Sequence, residues 1–285
     1  MSKIAKIYDP LGLVSPTTLT GKTIYREACD IGIAWDKQLQ SNLVTKWNRW
    51  EQSLPNNVKT PRSLARFQEK IDAIDLHAFG DASVKGVSTA VYAVVHQPSG
   101  TTKGLVAAKS PLSKKGLTIP RLELVSGHMS TNLLHNVKEA SQDLPVRNSY
   151  CWLDSTVALY WIRGRGEYKQ FVHSRVRKIQ ARSYIQWRHV PFDHNPADLG
   201  SRGGKVEDSS GLWWNGPSWL SESKDWPEDI TVSATAETES EAKIMKDVLG
   251  VSSSASRCTG RVHPEVGLLE SHSNHSMAIA IHSQQ

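Results

Sequence analysis

Four acidic residues stand where an element of the chain begins or ends. They are Asp81 in Phe79-Gly80-Asp81-Ala82-Ser83, Glu123 in Pro120-Arg121-Leu122-Glu123-Leu124, Asp154 in Trp152-Leu153-Asp154-Ser155-Thr156, and Asp198 in Asn195-Pro196-Ala197-Asp198-Leu199-Gly200-Ser201-Arg202. Carboxylates brought to one edge of a sheet repel each other and cost stability unless cations join them. Hard oxygen ligands of this kind suit Mg2+ or Mn2+, which keep several waters and recruit substrate phosphates to complete their coordination. Two such ions about 4 Å apart can clamp an in-line displacement at phosphorus, activating water on one side and stabilising the leaving oxygen on the other. The chemistry this set would do is phosphodiester hydrolysis. Taken singly, each carboxylate reads equally well as a turn former or helix cap, because Asp and Glu are depleted from strands and enriched at helix N-termini. The set is more informative than its members.

A second group of residues could hold the substrate. Between Arg163 and Arg188 there are eight Lys/Arg and a single acid, Glu167, interleaved with Tyr168, Phe171, Tyr184 and Trp187. A solvated basic helix face would look the same, and the periodicity of Val172, Val176 and Ile179 supports that helix whether or not it binds anything. Beside an acidic cluster, however, cations have a task, because a carboxylate-rich site repels phosphate unless metals and neighbouring charges compensate. Arg175, Lys178 and Arg182 are the candidates for contact with a nucleic-acid backbone, and Ser83 joins them as a candidate contact. Such contacts position a duplex without reading its sequence, and 2′-hydroxyls would supply the discrimination of RNA from DNA.

Elements that could position these residues follow from periodicity. Residues 1–60 read as a helical lead-in, with Ser15 capping a helix, Pro16 at its first position and Gly32 as its stop. A second helix is expected after Asp36, carrying the stripe Leu43, Val44, Trp47, Trp50 and Leu54. Pro55, Asn56, Asn57 and Pro61 interrupt that pattern as a linker. Three strands follow, at about Ala73–Phe79, Val87–His96 and Leu105–Lys109, whose short connections favour antiparallel pairing. Next comes a helix from about Arg121 to Ala140 with the stripe Leu122, Val125, Met129, Leu133 and Val137, which places Glu123 in its first turn. A fourth strand, Ser149–Leu153, leads into a helix starting near Ser155. A basic helix around Lys169–Arg182, a strand at Ile185–Val190 and a short helix at Pro196–Arg202 complete the unit, with Asn195 as the cap of the last helix. The class is α/β, a mixed five-stranded sheet in the order βββαβαβα, flanked by helices and preceded by a short helical segment. Residues 70–203 form this unit, 204–227 a Trp-rich linker, and 228–285, rich in Ser, Thr and Glu, a disordered tail.

Bulk properties agree. With 285 residues the chain can bury a full core, and 39% hydrophobic and 22% charged residues are ordinary for a soluble globular protein. No apolar run approaches the roughly 20 residues that span a bilayer, so no membrane is expected, and Met1–Pro10 lacks a signal peptide's apolar stretch. Three separated cysteines (Cys29, Cys151, Cys258) argue against a disulfide framework and fit an intracellular, reducing compartment, cytoplasm or nucleus. Net charge is +6, yet from Glu228 onward eight Asp/Glu outweigh four Lys/Arg, so residues 1–227 carry +6 − (−4) = +10. A basic folded part points to a polyanionic partner.

The four acidic segments, in their order and spacing, resemble the successive motifs of a retroelement ribonuclease H. That resemblance implies a ribonuclease H-like fold in which Asp81, Glu123, Asp154 and Asp198 bind two Mg2+ (or Mn2+) and the RNA strand of an RNA–DNA hybrid is cut. Tyr8-Asp9-Pro10-Leu11-Gly12-Leu13-Val14-Ser15-Pro16, Ala34-Trp35-Asp36 and Leu212-Trp213-Trp214-Asn215-Gly216-Pro217 resemble Pao/BEL-type LTR retrotransposon Pol polyproteins. In those, this stretch follows the reverse transcriptase and precedes integrase, so residues 1–60 would be a connection segment and the reverse transcriptase portion a partner. No Asp-Asp pair occurs, so the Tyr-x-Asp-Asp motif of a polymerase is missing and polymerase activity is not expected. Related nucleases often carry a histidine in a longer loop before the last Asp. Here the Val190–Asn195 loop is short; His194 is an auxiliary candidate, or simply a solvated loop residue beside Asp193.

Two rivals differ in class. Sequences of this type have also been labelled aspartic peptidases, with Asp81-Ala82-Ser83 as the catalytic loop. A retroviral-type peptidase needs Asp-Thr-Gly or Asp-Ser-Gly, and this chain has neither tripeptide. The other rival is a catalytically silent nucleic-acid-binding fragment, since the tail offers only Cys258 with His263, His272, His275 and His282 and no intact zinc module.

Overall fold

Segment Ala73–Ala82 (β1) is buried along its whole length, a condition a strand meets only inside a sheet covered on both faces. In the computed structural model, which describes residues 3–33, 37–55, 57–61, 63–206 and 211–243, β1 is the middle strand of five. Its neighbours are β2 (Val87–Gln97), β3 (Gly100–Lys109), β4 (Val146–Leu153) and β5 (Ile185–His189), in the spatial order β3-β2-β1-β4-β5. The short connections give antiparallel β1–β2 and β2–β3 pairs. The β1–β4 and β4–β5 pairs are parallel, which requires crossovers, and the helices supply them. The expected α/β class and the mixed five-stranded sheet are what the chain adopts, with β1 to β4 extended by one to five residues and β5 one residue shorter than expected.

Helix α3 (Ile119–Ala140) packs Leu133, Leu134 and Val137 on Leu76, Ala78, Val91 and Ala93. Beside it, α4 (Thr156–Arg163) and α5 (Gln170–Gln180) pack through Ala158, Trp161, Ile162, Val172, Val176 and Ile179. Ser155 caps α4 by accepting from the Ala158 amide at 3.2 Å.

The opposite face of the sheet is closed by residues read as a linker. After α6 (Ala197–Arg202), the short helix α7 (Leu212–Asn215) and the turn at Ser218–Ser221 bury Trp213, Trp219 and Leu220 against Phe79, Tyr92 and Trp152. The Tyr92 hydroxyl donates to the Trp213 carbonyl at 2.6 Å. Gly and Pro between these tryptophans mark tight turns, but a sheet with a parallel half needs cover on both sides.

The lead-in is joined to the same body. Helices α1 (Ser15–Asp30) and α2 (Ser41–Gln52) pair through Ile24, Ala28, Leu43, Trp47 and Trp50. Leu11 accepts from the Ala108 amide at 2.7 Å, which occupies the outer edge of β3. Gly12 stands at φ +71° with room for no side chain, since a Cβ would lie 1.8 Å from the Ala108 carbonyl oxygen. Trp213 Nε1 donates to the Leu13 carbonyl at 2.8 Å. The expected Ser15 cap is not formed: Ser15 is the first helical residue, Val14 stands at the N-cap with no side-chain bond to the helix, and just ahead of it the Asp9 carboxylate accepts from the Leu13 and Val14 amides at 2.8 and 3.0 Å. The second helix starts at Ser41, and Ala34-Trp35-Asp36 lie outside the described residues.

Residues 228–243, expected as the start of a tail, lie along α4 and α5. The short helix α8 (Ala236–Ser240) is capped by Thr235, and Thr238 is buried. Cys258 and the four later histidines fall outside the described residues.

Candidate active site

Gly80 of β1 pairs with Leu153 of the parallel strand β4. The next residue of each is an aspartate, so Asp81 and Asp154 sit side by side at the carboxyl ends of two central strands, where α/β sheets place their chemistry. Glu123 comes from α3, which begins at Ile119 and so holds Glu123 at its fifth residue, two residues deeper than expected. Asp81, Glu123 and Asp154 each present a carboxylate oxygen, all within 4.8 Å of one another.

Two of these side chains are nearly inaccessible, Asp81 at 4% and Glu123 at 7% exposure. Glu123 Oε1 accepts from the Ala82 amide at 3.2 Å, while Oε2 is buried with no hydrogen-bond partner among the described residues. Burial, followed by the charges of Asp81 and Asp154, pushes the Glu123 carboxyl up to about 10. Burial, with Asp81 next, pushes Asp154 up to about 7. Asp81 is also raised, by burial, against the lowering hydrogen bond from Ser201. Carboxylates held this close, each resisting its own charge, could hold a cation.

Asp198 on α6 stands beside this trio without joining it. Its charge acts on all three neighbours, but its Oδ1 accepts from Arg202 Nε, one turn along the same helix. Three residues of this motif have functions that its acidic member concealed. Ser201 donates its hydroxyl to Asp81 Oδ2. Asn195 donates to the Gly80 carbonyl at 3.0 Å, accepts from the Ala197 amide at 3.1 Å as the expected cap, and hydrogen-bonds the Asp154 carboxylate. Arg202 holds Asp198. The spacing of Asp198 and Arg202, four apart on a helix, was the available signal for that pair.

The remaining candidates lie around this centre. Ser83 Oγ donates to the Ser201 carbonyl at 2.7 Å and accepts from the Lys85 amide at 3.1 Å, so it ties the end of β1 to α6. His194 Nδ1 accepts from Trp219 Nε1 at 3.1 Å, and its Nε2 lies 3.9 Å from Asp193. On α5, the Arg175 guanidinium lies 3.6 Å from the Phe171 ring centroid and Arg182 donates to Asn132 of α3 at 2.8 Å. Lys178 is exposed. His128 on α3 is half-buried; burial first, and then the charges of Lys178, Arg175 and Arg182, pushes it down to about 4.

A family model described as Pao retrotransposon-like RNaseH-like domain matches residues 1–155, which takes in the lead-in helices, Asp81, Glu123 and Asp154. No curated protein matches the chain. Among solved structures, the N-terminal RNase H domain of Rv2228c from Mycobacterium tuberculosis, fused to maltose-binding protein, is similar at 17% identity over 44% of this chain and 92% of that one, with TM-score 0.30. RNase H1 of Halobacterium salinarum is similar at 15% identity over 46% of this chain and 91% of that one, with TM-score 0.28. The prototype foamy virus protease-reverse transcriptase is similar at 10% identity over 67% of this chain and 23% of that one, with TM-score 0.26. Scores of this size establish no shared fold by themselves; the match over more than half of the sequence does, and the chain belongs to the Pao retrotransposon-like RNaseH-like domain family.

Proposed function

We propose that this chain hydrolyses the RNA strand of RNA–DNA hybrids in a divalent-cation-dependent reaction, as the ribonuclease H portion of a retrotransposon polyprotein. The observation that carries the proposal is the meeting of Asp81, Glu123 and Asp154, with a buried Glu123 oxygen left without a partner, in a member of an RNase H-like family. That bare oxygen and the raised carboxyls fit a hard dication, Mg2+ or Mn2+, and a pair of ions with Asp198 as the fourth ligand is the fuller form of the proposal. Such ions supply charge neutralisation at the phosphate and a water acidic enough to attack it.

The chain's own residues would do the rest. Ser201 and Asn195 orient Asp81 and Asp154, and the Ala82 amide fixes one oxygen of Glu123. Arg202 would hold the Asp198 carboxylate at the outer side of the centre. Arg175, Lys178, Arg182 and Ser83 would hold the hybrid through its backbone, and His194, steadied by Trp219, would serve as an auxiliary group at the rim. The lead-in would join this unit to a reverse transcriptase.

The test is cleavage of a labelled RNA–DNA hybrid by the full chain with Mg2+, with Asp81→Asn and Asp154→Asn as controls. Cleavage that EDTA stops, and that both variants lose, is the expected result. A folded wild-type chain that binds the hybrid and leaves it intact is instead a silent binding fragment. Peptide hydrolysis blocked by a statine-type inhibitor would restore the peptidase reading.

A further inference from the structure

Residues 228–243 carry a charge opposite to that of the surface they cover. Asp229 accepts from Arg163 at 2.8 Å, the Pro227 carbonyl accepts from Arg188 at 3.3 Å, and the Ser240 carbonyl accepts from Lys169 Nζ at 2.7 Å. Three of the eight cations between Arg163 and Arg188 are thereby engaged inside the chain. Among the described residues, no hydrogen bond or ion pair joins Arg175, Lys178 or Arg182 to this segment.

At the end of the strap, Glu241 accepts from Arg121 Nε at 2.7 Å. Glu241 is only 7% exposed, and its Oε2 is buried with no hydrogen-bond partner. Arg121 belongs to α3, two residues before Glu123. At 100° per residue the two side chains leave the helix on different sides, so Arg121 faces α5 and not the carboxylates. There its guanidinium lies 5.0 Å from the centroid of Phe171, the ring on which Arg175 also stacks at 3.6 Å. Both guanidiniums lie against one aromatic ring, with Arg175 also donating to the Phe171 carbonyl at 2.9 Å, and the remaining N–H groups of such a pair suit a tetrahedral anion with several acceptor oxygens. A single carboxylate with one idle oxygen satisfies it in part.

We propose that Arg121, Phe171 and Arg175 form a phosphodiester subsite for a nucleic-acid strand, and that Glu241 is its internal occupant, displaced when the strand binds. The inference rests on the nuclease reading for the identity of the anion. Arg121 leaves α3 about 200° around the helix axis from Glu123, so the subsite lies on the far side of α3 from the carboxylate trio. Glu241 therefore competes with backbone phosphate and not with the scissile group.

The test measures binding of a fluorescein-labelled RNA–DNA hybrid by the full chain in an Asp154→Asn background, so that the hybrid stays intact, as a function of salt. Glu241→Gln, which keeps size and a hydrogen-bonding oxygen, should tighten binding roughly fivefold to tenfold near 0.1 M salt and steepen the log–log salt slope by about one. Adding Arg121→Gln should return both to the starting values. Hydrogen exchange gives an independent reading without any change at Glu241: hybrid should speed exchange of the two strap amides that tie residues 241–243 to the body, Lys169 N–H donating to the Glu241 carbonyl and Lys243 N–H donating to the Glu167 carbonyl. Hybrid binding with no response to Glu241→Gln, and strap amides unchanged or protected, overturns the subsite and leaves the nuclease reading standing. No hybrid binding by either folded chain overturns both.

Discussion

The Ala82 amide donates to Glu123 Oε1 at 3.2 Å, while Oε2 of the same carboxylate is buried without a partner. One oxygen is anchored to the end of β1 and the other stands bare near two more acids. An unsatisfied buried acceptor costs about 1–3 kcal/mol, and a charged one costs more. A cation held there would remove that cost, and the carboxylate cluster without one is therefore a point of weakness in the chain.

Mg2+ or Mn2+ should accordingly raise the melting temperature, by about 2.7 kcal/mol of stability at a hundredfold excess over Kd. Glu123→Gln should stabilise the metal-free chain at pH 8, on the order of 1–3 kcal/mol, and weaken the response to metal. Differential scanning fluorimetry with and without EDTA checks both; a metal response unchanged in Glu123→Gln would remove Glu123 from the centre.

Stability of the metal-free chain should also fall with rising pH. Glu123 rises from an ordinary 4.5 to about 10 and Asp154 from 3.8 to about 7 on folding, so the folded state favours their protonated forms. Their contribution is complete below about pH 4 and is lost progressively as pH climbs through about 7 for Asp154 and about 10 for Glu123. Asp75, held low by Arg147, Asn148 and His96 against its own burial, acts in the opposite sense in acid. The difference between wild type and Glu123→Gln isolates the effect: it should widen from pH 5 to pH 9, and a constant difference would contradict it.

Gly200 is where α6 touches the sheet most closely. A Cβ there would lie 2.0 Å from Ser88 Oγ and 2.8 Å from Ser88 Cβ. Gly200→Ala must push α6 outward, at a cost of about 1–3 kcal/mol, and it carries Ser201 and Asp198 with it. Hybrid cleavage should lose kcat more than it gains KM. Gly211, with nothing within 4 Å of its Cβ, provides the neutral control for both melting and kinetics.

Trp219 tests whether the residues after 203 belong to the folded body. Its ring lies 5.0 Å from that of Trp152 and it is 9% exposed. Trp219→Ala should cost about 3–5 kcal/mol in urea denaturation, the loss of a core aromatic, whereas a tryptophan in a linker would change stability by no more than about 0.5 kcal/mol.

Strands and helices were legible because their signals are local. The stripe Leu122, Val125, Met129, Leu133 and Val137 reports a 3.6-residue period that holds in any surroundings, and α3 is there with its start moved to Ile119. Asn195 and Pro196 likewise marked the start of α6. The start of α1 was not legible to the residue, because Asp9 fixes the Leu13 and Val14 amides just ahead of the helix, which then begins at Ser15 itself, beyond any spacing rule for a Ser15 cap. Trp213 and Trp219 were hidden for a related reason. Gly and Pro announce turns, and nothing local says that the turns fold back onto Phe79 and Trp152.

By itself, the chain's order of residues determined which carboxylates were worth considering, since Asp81, Glu123, Asp154 and Asp198 each sit at an element boundary that periodicity can locate. Their grouping was decided in three dimensions. The parallel register that sets Gly80 opposite Leu153 brings Asp81 beside Asp154, and the crossing of α3 lowers Glu123 between them. Asp198 has the same residue type and a boundary of the same kind, yet it is turned to Arg202. Sequence spacing records distance along the chain, whereas Coulomb repulsion and metal ligation depend on distance through space, and only the packed sheet converts one into the other.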